Sequence, residues 1–272
     1  MERTALLRPS LPPVCRLGLA TRGNTVLCQA DVEWAIERGI NYLNWCGHPD
    51  ALSQTIAALG SRRQQVVVAL QFESRTAREA AREFPSILKE LRTGYIDVAT
   101  LYYVESGSEW DAIAGPNGAL EYLEQRKREG ALRMIGVTSH QRRLAASWAG
   151  TGKLDLLMVR YNAAHRGAEK DVFPVTRELG IPVVAFTGLR WKALLKSTPE
   201  DPGGFTPPPA REFYRFCLAE PSVAVALTAP SGRAELEGNL SLLDDWRPPG
   251  EAELDLLRAH GDRVRRHAGA FP

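Results

Sequence analysis

No stretch of this 272-residue chain approaches the roughly 20 consecutive apolar residues that a membrane-spanning helix needs, so no membrane partner is expected. Charge of neither sign dominates. Lys and Arg number 34 against 32 Asp and Glu, and the net charge of +2 gives no argument for nucleic acid or an anionic membrane as partner. Cysteine is scarce, and Cys15, Cys28, Cys46 and Cys217 are scattered without paired spacing, so neither a disulfide nor a zinc framework follows. The five histidines, His48, His140, His165, His260 and His267, have no ligand spacing, and no metal site is expected. The opening segment "MERTALLRPSLPPVCRLGLA" lacks a basic stretch followed by an apolar run, so no secretory signal is expected and the chain reads as reduced and cytoplasmic. Low-complexity segments and domain boundaries are missing too, which leaves one domain over 1–272.

What is present is an alternation. Short apolar, β-branched runs recur, each followed by an amphipathic stretch: "VCRLGLA" (14–20), "INYLNW" (40–45), "QVVVAL" (65–70), "DVATLYY" (97–103), "RMIGVT" (133–138), "LDLLMVR" (154–160), "IPVVAFT" (181–187) and "VAVALT" (223–228). Several are apolar at nearly every position, as parallel strands buried on both faces should be. "TARE" (76–79) fits a capping box, and the glycines of "ERG" (37–39) and "ELG" (178–180) fit helix ends. Pro85 should kink or split the helix it sits in. Eight such units in about 250 residues predict a single (β/α)8 barrel, with "GEAELDLLRAHGDRVRRHAG" as an extra C-terminal helix. An open doubly wound sheet would carry G-x-G-x-x-G after its first strand, and none is there. The Pro/Gly-rich stretch "KSTPEDPGGFTPPPA" (196–210) follows the seventh strand and reads as a cover over a site or a flexible loop.

In such a barrel the working groups sit at the C-terminal ends of the strands. Those ends carry neutral polar and aromatic groups early in the chain, among them Asn44, His48, Gln71 and Tyr102. Later ends carry hydroxyls and cations around a helix start, Ser231 and Arg233 among them, which suits a phosphate. No carboxylate pair is present at any of them.

Here the sequence resembles the aldo/keto reductase superfamily over nearly its whole length. "AIERGINYLNWC" is similar to that family's "A…GI.YFDTA", and "LRTGYIDVATLYYVES" to its "L…YIDL.LLH.P". "KREGALRMIGVTSH" resembles "…EGK.R.IGVSN". "LDLLMVRYNAAHRGAEKDVFPVTRELGIPVVAFTGL" resembles "D..Q.EYNLLHR..E..V.P.C.E.GI.V.AYSPL", and "ALTAPSGRAELEGNL" the closing "IPG…..QL.EN". The resemblance implies a barrel that binds NADP(H) at its C-terminal mouth and reduces the carbonyl of a small molecule. It implies nothing about oligomeric state.

The departures fall on the family's catalytic Asp, Tyr, Lys and His. Their positions match Asn44, Pro49 with His48 adjacent, Gln71 and Tyr102. Loss of one member of the Lys–Asp ion pair would strand a buried charge, but both are gone, and Asn44 with Gln71 is expected to form a neutral amide pair. His48 is the first candidate proton donor, imidazole being the side chain that titrates nearest neutrality. Tyr102 is the second, a weak acid but an adequate hydrogen-bond donor. On the cofactor side the resemblance assigns Phe186 to stacking on nicotinamide, and Thr138 and Ser139 to its carboxamide. Met158 replaces the glutamine that would help them. Thr187 and Leu189 follow in the seventh loop, and Ser231, Arg233 and Asn239 match the phosphate and adenine contacts. The expected activity is an atypical NADP(H)-linked reductase. The alternative is a barrel that keeps a nucleotide or small-molecule pocket without hydride chemistry. A different reaction, such as a lyase or isomerase, has no residue in its favour beyond the fold's versatility.

Overall fold

The apolar runs become strands because their residues fill two environments at once, a barrel interior on one face and a layer of helices on the other. The computed structural model describes residues 1–21, 25–267 and 269. The strands are β1 (Leu17–Ala20), β2 (Tyr42–Trp45), β3 (Val67–Phe72), β4 (Ile96–Leu101), β5 (Leu132–Ser139), β6 (Leu156–Arg160), β7 (Val183–Phe186) and β8 (Val223–Thr228). They pair in parallel in chain order, and β8 pairs with β1 to close the barrel. Around it run α1 (Gln29–Glu37), α2 (Ala51–Ala58), α3 (Ala77–Glu90), α4 (Gly107–Ala114), α5 (Ala119–Arg128), α6 (Arg142–Ala149), α7 (Ala168–Asp171), α8 (Phe173–Leu179), α9 (Ala210–Ala219) and α10 (Arg233–Leu240). The extra helix is α11 (Glu251–His267); Ala268, which the sequence reading included in it, lies outside the described residues. No helix among the described residues is long and apolar enough to cross a membrane.

The two-residue period of the strands sorts the core. Leu43, Val68, Leu70, Leu157 and Val159 point outward under the helices, while Tyr42, Ala69, Val98, Met134, Met158, Val184 and Phe186 point into the barrel. Thr76 and Glu79 form the expected capping box, with Glu79 N donating to Thr76 Oγ1 at 3.2 Å and Thr76 N to Glu79 Oε2 at 3.0 Å. Gly180 ends α8 in the left-handed conformation, φ 65°.

Three expectations change. The first run is not one strand. Val14–Cys15 pairs antiparallel with Thr4–Ala5, and this N-terminal hairpin lays Leu7, Leu11 and Val14 against the barrel interior. Arg16, between hairpin and β1, is buried and donates to Leu218 O at 2.9 Å and Val223 O at 2.7 Å. Pro85 does not split α3, because it lies on the exposed face, where the carbonyl of Ala81 that loses its donor meets water. The segment 196–210 is tied to α11. Arg263 pairs with Asp201 at 2.6 Å, Arg266 pairs with Glu200, and the Phe205 ring packs 5.1 Å from His260.

Helix α11 itself docks backbone to backbone. A Cβ at Gly261 would lie 2.2 Å from Ala163 O, closer than any real contact. Arg166 clasps Asp262 beside it at 2.9 and 3.1 Å. Substitution Gly261→Val should therefore lower stability by about 1–3 kcal/mol, the usual cost of overpacking, and loosen the loop that α11 holds. Denaturant unfolding and hydrogen exchange at 196–209 check this; unchanged stability would contradict the close approach.

Candidate active site

The C-terminal mouth is built from strand tips whose inward positions are mostly neutral. Asn44, at the top of β2, is 1% exposed, and neither amide atom finds a protein partner. The expected amide pair with Gln71 is not formed. Asn44 is level with Ala69 across the β2–β3 ladder, so Gln71 stands two residues higher, roughly 7 Å up the strand. The hydroxyls of Thr100 and Thr138, both 1% exposed and inward by parity, also find no protein partner, nor does the Tyr42 hydroxyl below them. Buried polar groups are normally paired, so these mark an interior with hydrogen-bonding capacity unspent by the protein.

The other expected residues divide. His48 is exposed on the turn that leads into α2. Trp45 Nε1 donates to the His48 carbonyl at 2.7 Å, and Asp50 caps the helix through Ser53 N at 2.9 Å. This local bonding fixes the backbone and leaves the imidazole on the outer side of the loop. Tyr102 is half-buried, its ring stacked on Tyr103 at 4.0 Å. Its carbonyl accepts from Arg75 Nη2, which holds the tip of β4 down. Phe186, 7% exposed, faces Tyr103 at 6.5 Å and the His140 ring at 6.0 Å. Of the Thr138–Ser139 pair only Thr138 points inward; Ser139 Oγ accepts from Gln141 N at 3.0 Å at the approach to α6.

The loop after β7 is conformationally costly. Thr187, Arg190, Trp191 and Lys192 all have φ between 48° and 67°, a region that non-glycine residues occupy at about 1–3 kcal/mol each. Asn162 Nδ2 holds this loop by donating to Thr187 O at 2.9 Å, and Leu189 packs half-buried on the outer core. Lys192 Nζ donates to Ser231 Oγ at 2.7 Å and pairs with Glu235, bridging the β7 loop to α10. Arg233 lies 4.0 Å over the Trp34 ring and pairs with Glu237 at 2.7 Å and Asp31 at 3.4 Å. Asn239 is 4% exposed and donates to Thr228 Oγ1 at 2.8 Å, so its amide braces α10 against β8. The groups expected to meet phosphates are thus engaged with protein partners, whereas the Thr138 hydroxyl and the Asn44 amide are not.

Sequence reasoning did not single out the cluster between β4 and β7. His140 Nδ1 lies 3.3 Å from Glu105 Oε1, which also accepts from His140 N at 2.8 Å. Burial first, then the Arg160 charge, push the His140 pKa down, while Glu105 opposes them. His165 is driven further, to about 4, by burial and then by Arg160, Arg190, Arg265 and Arg142. The parity of β6 was the signal that could have found Arg160. Among the described residues no group of three or more His, Cys, Asp and Glu side chains could hold a metal ion. Grooves of about 850 and 590 Å³ run along the outer flank, lined by α2 and α3 residues such as Gln54 and Lys89 and by the Arg63–Tyr95 region, away from these strand tips.

Residues 20–215 match the aldo/keto reductase family, and the chain belongs to that family. Among solved structures it is similar to the holo form of aldo-keto reductase AKR11C1 from Bacillus halodurans, with 20% identity, a TM-score of 0.76, and 97% of this chain and 96% of that one covered. It is also similar to an aldo-keto reductase from Klebsiella pneumoniae in complex with NADPH, with 19% identity, a TM-score of 0.73 and 92% of each chain covered. At these identities the likeness shows the fold. No curated protein matches the chain.

The electrostatics of the cluster set a pH dependence. His165 has a folded pKa of about 4, below the ordinary imidazole value near 6.5, so the unfolded chain binds the extra proton between them. The stability associated with neutral His165 is present in full above pH 6.5 and is lost as pH falls towards 4. Melting temperature measured across that window should fall less steeply in His165→Gln than in the parent. Identical slopes would contradict the assignment.

Proposed function

We propose that the chain is an atypical NADP(H)-linked oxidoreductase that reduces the carbonyl of a small molecule at the barrel mouth. One observation carries the reading: the buried, unpartnered hydroxyl of Thr138 and amide of Asn44 at the mouth that also holds the Phe186 ring. A nicotinamide needs an aromatic face to stack on and hydrogen-bond partners for its carboxamide, and these residues fit both needs. That the Klebsiella pneumoniae relative is complexed with NADPH supports the same cofactor here.

Phe186 would hold the ring and Thr138 the carboxamide. Lys192, Ser231 and Arg233 would meet phosphates by exchanging contacts with Glu235, Glu237 and Asp31. Bound NADPH supplies the hydride. The protein must then orient the carbonyl and stabilise the oxygen as negative charge develops on it. Asn44 and Gln71 would orient it without charge. Tyr102, half-buried at the tip of β4, would donate the hydrogen bond, and His48 would do so only after turning in from its exposed loop. A second reading, nucleotide binding without hydride chemistry, is favoured by the exposure of His48 and by the neutral residues at the Asp and Lys positions.

A fluorescence titration should show saturable NADPH binding, and none at millimolar cofactor would sink the reductase and the nucleotide-binding readings together. Thr138→Val should leave the melting temperature unchanged or raised, since it removes an unpaired buried hydroxyl. It should weaken NADPH about fivefold to tenfold, the worth of one hydrogen bond. Equal affinity would remove Thr138 from the site. Against a carbonyl panel, Tyr102→Phe should lower kcat about 100-fold and His48→Ala much less. Cofactor binding with no turnover by the parent protein would select the second reading.

A further inference from the structure

The mouth is neutral with one exception. Among the described barrel-strand residues with inward parity, Arg160 is the only charged side chain; it follows Leu156 and Met158 on β6 and is level with Phe186 across the β6–β7 ladder. The family pattern "D..Q.EYN" has glutamate where Arg160 stands, so the sign of the charge beside the aromatic platform is reversed. The surrounding loops add cations. Arg142, at the start of α6, lays its guanidinium against Gly167, where a Cβ would come within 2.5 Å of it. Arg190, 3% exposed, is held over the same side by its bond to Gly269 O at 2.9 Å. Asn162 ties the two loops together, bonding Thr187 O on one side and the His165 backbone N on the other, at 2.9 Å each. Among the described carboxylates nearby, Glu105 acts on both His140 and Arg160, and Asp171 pairs with Arg142 at 3.0 Å. The balance of these groups is cationic.

We infer that this rim is a receptor for an oxyanion carried by the substrate, a carboxylate or a phosphate ester, with Arg160 as the residue that grips it. A guanidinium offers paired donors in the fork geometry that both oxyanions match, and it keeps its charge at any working pH. Placed beside Phe186, it selects anionic carbonyl compounds over neutral ones and orients them with the anion towards β6. This assignment rests on the reductase reading for the word substrate; the oxyanion receptor itself stands on the rim alone.

The test uses the full-length protein, with oxalate and inorganic phosphate as probes. Each is titrated with and without saturating NADP+, with affinity read by calorimetry and the His165 ring signals by NMR. At least one oxyanion should bind in the presence of NADP+ and move the His165 titration midpoint upward. Arg160→Gln should weaken it at least about tenfold, the worth of a charged hydrogen bond. Arg142→Gln should weaken it less, and the exposed Arg128→Gln not at all. The tighter of the two probes names the oxyanion. Displacement of the probe by NADP+ would overturn the proposal, since the rim would then be holding a cofactor phosphate. Absence of binding in both forms, or unchanged affinity in Arg160→Gln, would overturn it as well. If NADP+ itself fails to bind, the reductase reading falls, and the titration of the cofactor-free protein still decides the receptor.

Discussion

A full charge inside a closed barrel must have its counter-charge beside it, because the interior offers no water to screen or solvate it. The layer at the mouth of this barrel follows that constraint with one exception. Asn44 and Gln71, which the family resemblance aligns with a carboxylate and an ammonium, are both neutral. An unpaired amide costs far less than an unpaired ion, so Asn44 is tolerated at 1% exposure without a protein partner. Among the described inward strand residues the one charge, Arg160, departs from that constraint: at the last residue of its strand it is half-buried, and burial and the Arg142 charge press against its protonated form while Glu105 opposes them.

The same constraint separates two kinds of polar group around the mouth. Those of the phosphate side, Lys192, Ser231 and Arg233, are near the surface and have acquired protein partners across the β7 loop, α10 and α1. Those of the nicotinamide side, Thr138 and Asn44, lie too deep and too far apart to satisfy each other. The strained loop 187–192 and the docked helix α11 hold this arrangement in place. The strain persists because the loop is anchored to three other segments: Asn162 donates to Thr187 O, and the loop's own Arg190 and Lys192 donate to Gly269 O and Ser231 Oγ. Rigid support of this kind is what a site needs if a ligand, and not the protein, is to complete its hydrogen bonds.

Much of the fold was legible in the sequence because parallel barrel strands are apolar on both faces and stand out as runs. The ends of those runs were less legible. Val14 and Cys15 continue the first run in composition but belong to a hairpin, a tertiary choice that no local pattern records. Pro85 was expected to kink or split its helix; it does not split α3, because its effect depends on which face of the helix it occupies. Asn44 and Gln71 looked like partners because both replace charged residues, yet ladder register sets them two residues apart in height. Asn239 and Ser139 kept the positions that the resemblance assigns, while the structure turns their side chains to bracing and to a helix start. Arg160 is readable as inward from the alternation Leu156, Met158, Arg160, but no family motif marks it as a site residue.

The central claim is that the buried Thr138 hydroxyl is left unpartnered by the protein because the carboxamide of a nicotinamide completes it. A crystal structure of the protein grown with NADP+ tests it most directly. The account predicts the nicotinamide ring against Phe186 with its carboxamide in hydrogen-bond reach of the Thr138 hydroxyl. A cofactor lying elsewhere, or the Thr138 hydroxyl satisfied by ordered water with the nicotinamide out of its reach, would contradict it.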